Sequence, residues 1–285
     1  MSNSLVTITI PTYNSEKSLN FCLEALKNQS YKNIEINIID GFSKDETLKI
    51  AKKFHIRDIK KNNGSLLQAR YEGVKLAKGK YILILDSDQI LYRDTIERAV
   101  KKMEQEGFDM LALGEGVYHC NTFVEKLFQM DRRLINKLNN LSPFTGVIMP
   151  RFFKRNLLRQ AYDNISVETL PSTGGPDHAI VYYEAWLISK QVGVLKDAVK
   201  HMEPSNLRLL MKKFYRWGYT SVEAHYGHYH HLMSQKERLR KGLFTKGLFK
   251  ESVGSVVLLF FKGIAFKTGY YKGIFDRYGR FIKNK

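Results

Sequence analysis

The sequence predicts an α/β fold built on a mostly parallel sheet flanked by helices. Over about the first 115 residues, short apolar segments typical of strands alternate with segments of helical pattern. Such alternation at short spacing is typical of parallel strands joined by right-handed crossovers. The segment Tyr81–Leu85 is apolar throughout, as expected of a strand buried within a sheet.

Each predicted element of this first part has a local reason. Pro11 ends the first strand, and Ser43 with Glu46 has the spacing of a capping box that opens the second helix. Gly79 and Gly107 are placed to end the third and fourth helices. The predicted strands are Leu5–Ile10, Ile34–Asp40, Ile56–Lys60, Tyr81–Leu85 and Phe108–Leu113, and the predicted helices are Glu16–Asn28, Ser43–Phe54, Ser65–Lys78 and Asp94–Glu106.

The pattern changes after this region, where helices and loops replace the regular alternation. The predicted segments are a helix at Asn121–Asn140, an apolar turn region at Leu141–Pro150, a basic and aromatic segment at Arg151–Arg159, a loop at Glu168–Asp177, and helices at His178–Lys190 and Asn206–Tyr219. The rest of the chain is a basic tail.

The charge of the chain is high and unevenly distributed. The formal net charge is +18, and residues 235–285 contain 13 lysines and arginines against three acids. Such a tail favours a polyanion as its partner, either nucleic acid or an anionic membrane surface. Between Ser252 and Phe281 aromatic residues alternate with lysines and glycines, which is typical of an amphipathic segment lying on a membrane.

The few cysteines, and the lack of a secretory signal or a membrane span in the sequence, indicate the cellular compartment. Its two cysteines, Cys22 and Cys120, offer neither a disulfide framework nor the spacing of a metal site, which favours a reducing compartment. We find no secretory signal at the start of the sequence and no apolar stretch of the ~18–20 residues that a membrane span needs. We therefore expect a cytoplasmic protein associated peripherally with the inner face of the cell membrane.

Two aspartates follow the apolar strand Tyr81–Leu85. Asp86 and Asp88 would stand at the carboxyl edge of the sheet, where open α/β folds bind their ligands. Carboxylates are hard oxygen ligands suited to Mg²⁺ or Mn²⁺, ions that commonly accompany a diphosphate. A solvated turn is the alternative for this tripeptide alone.

Motifs that occur in order along two segments together resemble family 2 glycosyltransferases. The segment PTYNSEKSLNFCLEALKNQSYKNIEINIIDGFSKDET, at 11–47, is similar to the opening of that family, and ARYEGVKLAKGKYILILDSD, at 69–88, continues the pattern. The resemblance implies the Rossmann-like GT-A fold and an inverting glycosyltransferase that uses a nucleotide sugar. It implies a catalytic domain at 1–205, with a nucleotide-binding half at 1–115 and an acceptor half at 116–205, followed by a helical basic extension at 206–285.

The resemblance also implies which residues hold the donor and the metal. Asp40 would accept the ring N–H of the base, and Arg70 would face the nucleotide or its diphosphate. Asp88 would bind Mn²⁺ or Mg²⁺ directly, with His201 as a further ligand. A histidine at a strand or helix edge with no metal is the alternative for His201. The full implied set is Pro11, Thr12, Tyr13, Asp40, Arg70, Asp86 and Ser87 for the nucleotide sugar and Asp86, Asp88 and His201 for the metal.

The catalytic base implied by the resemblance is Asp177, in the segment Gly174–His178. Glu184 is the second candidate for this role. An N-cap of the following helix is the structural alternative for Asp177, and both roles are compatible. The base would deprotonate or orient the acceptor for in-line attack at the anomeric carbon.

The acceptor is expected to be lipid-linked or a glycan. Arg151 and Lys154 lie in a basic and aromatic cluster suited to acceptor phosphate or membrane contact, although a solvated helix start would have the same composition. Arg216 and Trp217 match an acceptor-side pair of processive relatives, but Lys213 stands where those relatives have glutamine. Processivity is therefore not expected.

Two other functional classes compete with this interpretation. A sugar-phosphate nucleotidyltransferase would need a G-x-G-x-R loop after the first strand, where this chain has PTYN. A non-enzymatic polyanion-binding protein would explain the charge but would leave Asp40, Asp86, Asp88 and Asp177 without a role. We therefore expect no nucleic-acid partner, and the sequence does not indicate an oligomeric state.

Overall fold

The computed structural model describes residues 3–137, 141–145, 148–234 and 247–283. Its strands are β1 (Val6–Thr12), β2 (Ile34–Asp40), β3 (Asp58–Lys61), β4 (Tyr81–Ile84), β5 (Gln89–Leu91), β6 (Met110–Val117), β7 (Pro150–Lys154) and β8 (Val192–His201). These strands form one sheet in the order β3-β2-β1-β4-β7-β6-β8-β5. Strands β1 to β4 pair in parallel, as do β6 and β8, whereas β7 and β5 pair antiparallel with their neighbours. The predicted α/β fold class is confirmed.

Helices cover the sheet and extend beyond it. They are α1 (Leu19–Lys27), α2 (Thr47–Lys53), α3 (Leu66–Leu76), α4 (Thr95–Glu106), α5 (Phe123–Ile135), α6 (Arg155–Asp163), α7 (Asp177–Ile188), α8 (Leu207–Thr220), α9 (Val222–Tyr226), α10 (His230–Ser234) and α11 (Phe249–Lys283). One apolar cluster joins α1 and α4 to one face of the sheet, and a second joins α3, α6 and α7 to the other. Alternate residues of β4 belong to the two clusters, because successive side chains of a strand point to opposite faces.

The first strand is longer than the sequence predicts, since it continues through Pro11 to Thr12. Pro11 is aligned with Ile39 of β2, whereas the pairing of β1 with β4 ends at Thr9. The missing N–H of proline is tolerated here because one neighbouring strand has already ended. The extension carries Thr12 to the edge of the sheet beside Asp40.

Two of the predicted helix caps are wrong. Helix α2 begins at Thr47 without a side-chain cap, because the Ser43 hydroxyl donates to Asp40 Oδ1 at 2.6 Å. Gly79 does not follow a left-handed helix end, since α3 ends at Ala77 in an extended conformation. A Cβ at Gly79 would lie 2.6 Å from the backbone nitrogen of Thr7, so a close approach explains this glycine. Gly107 does end α4 in the left-handed region, as predicted.

The second half contains strands that the sequence pattern does not reveal. The segment Arg151–Arg159, predicted only as basic and aromatic, forms most of β7 and the first part of α6. Strand β8 mixes apolar and charged residues without regular alternation, and its parallel pairing with β6 determines its conformation. Residues 138–140 of the predicted helix Asn121–Asn140 and residues 146–147 of the predicted turn region lie outside the described residues, as do 235–246 and 284–285 of the basic tail.

The long helix α11 packs against α5 and α8. A third apolar cluster, which includes Phe128, Phe214 and Leu258, lies between these three helices. Glycines allow very close contact, because a Cβ at Gly218 of α8 would lie 1.9 Å from the Phe266 carbonyl oxygen of α11. Among the described residues, no helix is long and apolar enough to cross a membrane.

Candidate active site

The candidate site begins where β4 ends. The backbone leaves the sheet after Ile84, and a short turn carries Asp86 and Asp88 before β5 begins. The turn is fixed by the Asp86 N–H, which donates to Gln89 Oε1 at 3.0 Å, and by the Met202 N–H, which donates to the Asp88 carbonyl at 2.9 Å. Both aspartates therefore stand at the carboxyl edge of the parallel strands, as the sequence predicts.

Two arginines contact the Asp86 carboxylate. Its Oδ1 is 2.6 Å from Arg70 Nη2 and its Oδ2 is 2.9 Å from Arg151 Nη1. Burial alone would raise the pKa of Asp86, but the guanidinium groups of Arg70 and Arg151 hold that pKa well below its usual range. Asp86 is therefore a carboxylate at neutral pH.

Arg70 joins Asp86 to the predicted base. Its side chain is 1% exposed, and its Nε donates to Asp177 Oδ2 at 2.6 Å. Its remaining nitrogen, Nη1, is buried and has no hydrogen-bond partner among the described residues. Asp177 is the first residue of α7, whose N-cap is Pro176, so the N-cap alternative for Asp177 is wrong.

Asp88 lies beside cationic groups. Its Oδ1 is 3.1 Å from His201 Nε2, and its Oδ2 is 3.9 Å from Lys213 Nζ. The other ring nitrogen of His201, Nδ1, is 3.2 Å from Glu203 Oε1. Burial would lower the pKa of His201, but the carboxylates of Asp88 and Glu203 raise it to about 10. Without a metal, the imidazole is therefore a cation between two carboxylates at neutral pH, and a metal bound at Nε2 would have to displace the proton from that nitrogen.

This geometry makes stability depend on pH. The pKa of His201 rises from its ordinary 6.5 to about 10 on folding, so its contribution is complete below pH 6.5 and is lost as the pH rises through about 10. With a chelator present, we expect the wild type to lose at least about 1 kcal/mol more stability than His201→Gln between pH 7 and pH 10. Thermal melts across this range test the expectation, and parallel curves for the two proteins would contradict it.

Ion pairs missed by sequence reasoning connect the two aspartates. Arg132 of α5 lies 2.7 Å from both Glu115 of β6 and Glu203, and Arg151 Nε lies 3.2 Å from Glu115. The sequence did offer one sign of Glu115, which is a charged residue between two glycines just after a predicted strand. It offered no sign of Arg132, because the partners of Arg132 are far away in sequence. The Asp86 and Asp88 sides of the site thus belong to one charged network.

Near Thr12, several of the predicted nucleoside-binding residues are held in place by hydrogen bonds. Asp40 is fully buried, and Thr12 Oγ1 donates to its Oδ1 at 2.9 Å. The Ser43 N–H donates to Asp40 Oδ2 at 2.9 Å. Tyr13 is exposed beside this arrangement, and Ser87 donates to Ser15 Oγ at 3.0 Å. Asp40 thus orders the loop after β2, and contact with a base remains a prediction.

Other predicted residues lie away from the two aspartates. Lys154 pairs with Asp109 at 2.6 Å, at the opposite end of β7 from Arg151. Glu184 is buried and accepts from the Tyr229 hydroxyl at 2.8 Å, within the cluster under α7. Arg216 is exposed on α8. The structure thus brings Arg151 to the aspartates but shows no contact between them and these three residues.

A cavity of about 460 Å³ opens beside Asp88. It extends from His201, Glu203 and Lys213 to the packed faces of α5, α8 and α11. Trp217 lines it and contacts Phe214 with ring centroids 4.9 Å apart. The cavity continues with the side chains of Arg132, Lys262, Phe266 and Lys267. It is therefore aromatic and mostly cationic, which suits an anionic or phosphate-bearing ligand.

The side chains at Asp88 offer ligands for a divalent metal. Asp88 and His201 offer a carboxylate oxygen and an imidazole nitrogen 3.1 Å apart, which are ligand types suited to Mn²⁺. Among the described residues, no group of three or more His, Cys, Asp or Glu side chains converges as a complete metal site. Ions of this class commonly take only one or two protein carboxylates and complete their coordination with substrate phosphates. The donor set fits a metal that arrives with a diphosphate.

Comparison with known proteins identifies the family. The sequence model of glycosyl transferase family 2 matches residues 7–168, which is more than half of the chain. This chain belongs to glycosyl transferase family 2. The predicted family is thereby confirmed, and residues 7–168 carry the sequence pattern of a glycosyl transferase.

Individual relatives agree with this assignment. Glycosyltransferase GlyG of Streptococcus pneumoniae is 33% identical over 115 residues, which cover 38% of this chain and 38% of GlyG. The poly(ribitol-phosphate) β-N-acetylglucosaminyltransferase TarP of Staphylococcus aureus is 27% identical over 215 residues, covering 70% of this chain and 64% of TarP. The chain thus spans less than two thirds of either relative.

Solved structures share the fold of this family 2 chain. The structure of S. aureus TarS 1–349 in complex with UDP aligns with a TM-score of 0.57 at 18% identity and covers 96% of this chain and 92% of that one. A mannosyltransferase of Pyrobaculum calidifontis, in complex with GDP-Man and Mn²⁺, aligns with a TM-score of 0.55 at 18% identity and covers 94% and 74%. These alignments confirm the GT-A fold.

Proposed function

We propose that this enzyme transfers a sugar from a UDP- or GDP-linked donor to an acceptor with inversion at the anomeric carbon. The observation that carries the proposal is the Asp88–His201 pair, 3.1 Å apart at the carboxyl edge of the sheet and beside the arginine-held Asp86. The donor class is supported by the UDP and GDP-Man complexes of proteins with the same fold.

The donor would lie across the carboxyl ends of β1, β2 and β4. The loop that starts with Pro11, Thr12 and Tyr13 would contact the nucleoside, with Asp40 as acceptor for the base N–H. The turn that contains Asp86 and Ser87 would face the ribose and the diphosphate. Arg70 supports this turn, because its 2.6 Å contact holds the Asp86 carboxylate in place.

Asp88 and His201 would hold Mn²⁺ or Mg²⁺, with Asp86 beside them. When bound, the ion offsets the charge that develops on the departing nucleoside diphosphate. Lys213, 3.9 Å from Asp88, adds a fixed positive charge at the same place. Preorganised charges of this kind stabilise the transition state without reorganisation during the reaction.

Asp177 would act as the base. Arg70 Nε donates to the Asp177 carboxylate at 2.6 Å, which would fix the position of that carboxylate beside the acceptor hydroxyl. Inversion requires a single displacement, so one base is sufficient. If the acceptor nucleophile is a phosphate, it is already ionised, and the base contributes less.

The acceptor would be lipid-linked or a glycan and would enter the cavity beside Asp88. Arg151 at Asp86, and Trp217 with the lysines of the cavity, are the groups that would contact it, and Arg216 lies on the exposed side of the same helix. We place the reaction at the cytoplasmic face of an anionic membrane, because the charge of the chain and its cysteine content favour that location.

Thermal stability in the presence of nucleotides tests the donor proposal. A ligand that binds only the folded state raises the melting temperature, and a concentration of about 100 times its Kd adds about 2.7 kcal/mol. We expect UDP or GDP to raise the melting temperature of the wild type only with Mn²⁺ or Mg²⁺ present.

The variant Asp88→Ala is expected to lose this metal-dependent shift. The matched control is Asp94→Ala, which removes an exposed carboxylate that, within the described part of the chain, pairs with Arg98 in the next turn, and this variant should retain the full shift. No shift with any nucleotide in a folded wild type would contradict the donor proposal.

A further inference from the structure

The outer face of α11 is apolar along its described length. An outer stripe of exposed apolar side chains recurs at the three- and four-residue spacing of one helix face. Six members are Phe249, Val253, Val256, Phe260, Ile264 and Tyr271, and Phe275 continues the stripe by one turn. Phe249 is 78% exposed and Phe260 is 62% exposed. From Phe249 to Phe275 the stripe is about 39 Å long at 1.5 Å per residue.

The inner face of the same helix packs against α5 and α8 through apolar residues such as Leu258 and through small and polar ones. Ser255 donates to Asp131 of α5 at 2.6 Å, and Lys262 lies over the Phe128 ring with its nitrogen 4.4 Å from the centroid. Gly254 and Gly269 also lie on this buried side. A helix at an ordinary water-exposed surface turns its apolar side inward and its polar side outward. Since α11 carries a continuous apolar stripe on its outer side as well, that outer face is suited to an apolar environment.

The exposed charges around the outer stripe have one sign. Lys250, Lys267 and Lys272 are exposed, whereas the two acids of the described helix are partly buried. Glu251 pairs with Arg133 of α5, and Asp276 accepts from the Tyr219 hydroxyl at 3.3 Å and pairs with Lys272 at 2.5 Å. An apolar stripe flanked by lysines complements a surface that is anionic outside and apolar beneath.

We propose that the outer stripe of α11 docks this enzyme on an anionic lipid bilayer, with the helix lying parallel to the surface. The aromatic rings of the stripe would enter the boundary between headgroups and acyl chains, and the three lysines would remain at the headgroups. A second copy of the chain fits this face less well, because each copy carries a net charge of +18.

The docked orientation places the cavity next to the membrane. Lys267 belongs to both surfaces, since it is exposed within the outer stripe and also lines the cavity. A lipid-linked acceptor could therefore reach the cavity from the headgroup layer. The docking itself does not rest on the proposed donor or sugar, so it is tested without any transfer assay.

The test is cosedimentation of the full chain with sucrose-loaded vesicles. We expect binding to phosphatidylcholine vesicles that contain about a third phosphatidylglycerol, and much weaker binding to phosphatidylcholine alone. Phe260→Glu should weaken binding at least about tenfold, because it places a charge where the stripe enters the bilayer. Lys250→Gln should weaken it about fivefold and only for the anionic vesicles.

The matched control is Leu187→Glu, which changes a residue 56% exposed on α7 and should bind like the wild type. Failure of the wild type to bind anionic vesicles at low salt would overturn the proposal. So would binding that falls with Lys250→Gln but not with Phe260→Glu, since that result indicates attraction to any polyanion.

Size-exclusion chromatography adds a further test. A dimer that Phe260→Glu dissociates, without loss of vesicle binding, would assign the face to a second copy and overturn the proposal. If Phe260→Glu does not fold, Val256→Ser removes apolar surface more gently and should weaken vesicle binding by a smaller factor. The nucleotide-dependent thermal shift should be unchanged in all folded variants, so failure of docking and failure of donor binding can be told apart.

Discussion

Replacing Arg70 by methionine should lower the free energy of unfolding by about 3–5 kcal/mol. Arg70 is 1% exposed and contacts the carboxylates of both Asp86 and Asp177 at 2.6 Å. Without the guanidinium, Asp177 is left as a buried carboxylate with no cationic partner at that distance. In a chain of this length the loss corresponds to a decrease in melting temperature of about 10 °C, which calorimetry measures directly.

Arg57→Met provides the control, because Arg57 is exposed after α2 and the change should alter stability by no more than about 0.5 kcal/mol. The double variant Arg70→Met with Asp177→Asn should recover part of the lost stability, since it removes the unpaired charge. Equal stability of Arg70→Met and the wild type would contradict the network described here.

Replacing Asp177 by asparagine should lower the transfer rate by about 10²–10⁴-fold for an acceptor that attacks through a hydroxyl group. Asparagine retains the size of the side chain and can still accept from Arg70, but it cannot take up a proton. Donor binding should persist, because the proposed nucleotide contacts lie elsewhere. The measurement is turnover under saturating donor, together with the nucleotide-dependent melting shift as a check on folding.

Glu184→Gln is the matched control, as it changes the other buried carboxylate of α7. Glu184 accepts from Tyr229 and contacts none of the residues around Asp86, so turnover should remain within a fewfold of the wild type. A large loss in Glu184→Gln with normal turnover in Asp177→Asn would transfer the proposed role to Glu184.

The first half of the fold and the two aspartates of the site could be predicted because their signals are local. Strand and helix periods alternate from Val6 onwards, and the apolar run before Asp86 determines where the strand ends. The family resemblance then placed His201 near Asp88, and the structure has these side chains 3.1 Å apart.

The remainder of the site depends on contacts between distant segments. Arg132, Glu115 and Glu203 meet although they lie on a helix, a strand and a loop far apart in sequence. The local periodicity of a sequence does not indicate which distant residue will pair with a buried charge. Strand β8 was missed for the same reason, because its neighbours β6 and β5 determine its conformation more than its own sequence does.

The close packing of α8 against α11 has a mechanical consequence. A methyl group at Gly218 or Gly269 would overlap the backbone of the opposing helix, with Cβ to carbonyl oxygen distances of 1.9 and 2.0 Å. The two helices therefore cannot slide past each other without disrupting this packing, and both contribute side chains to the cavity, namely Lys213, Trp217 and Lys267. The proposed docking of the outer stripe and the proposed binding of an acceptor in the cavity would therefore depend on one rigid pair of helices.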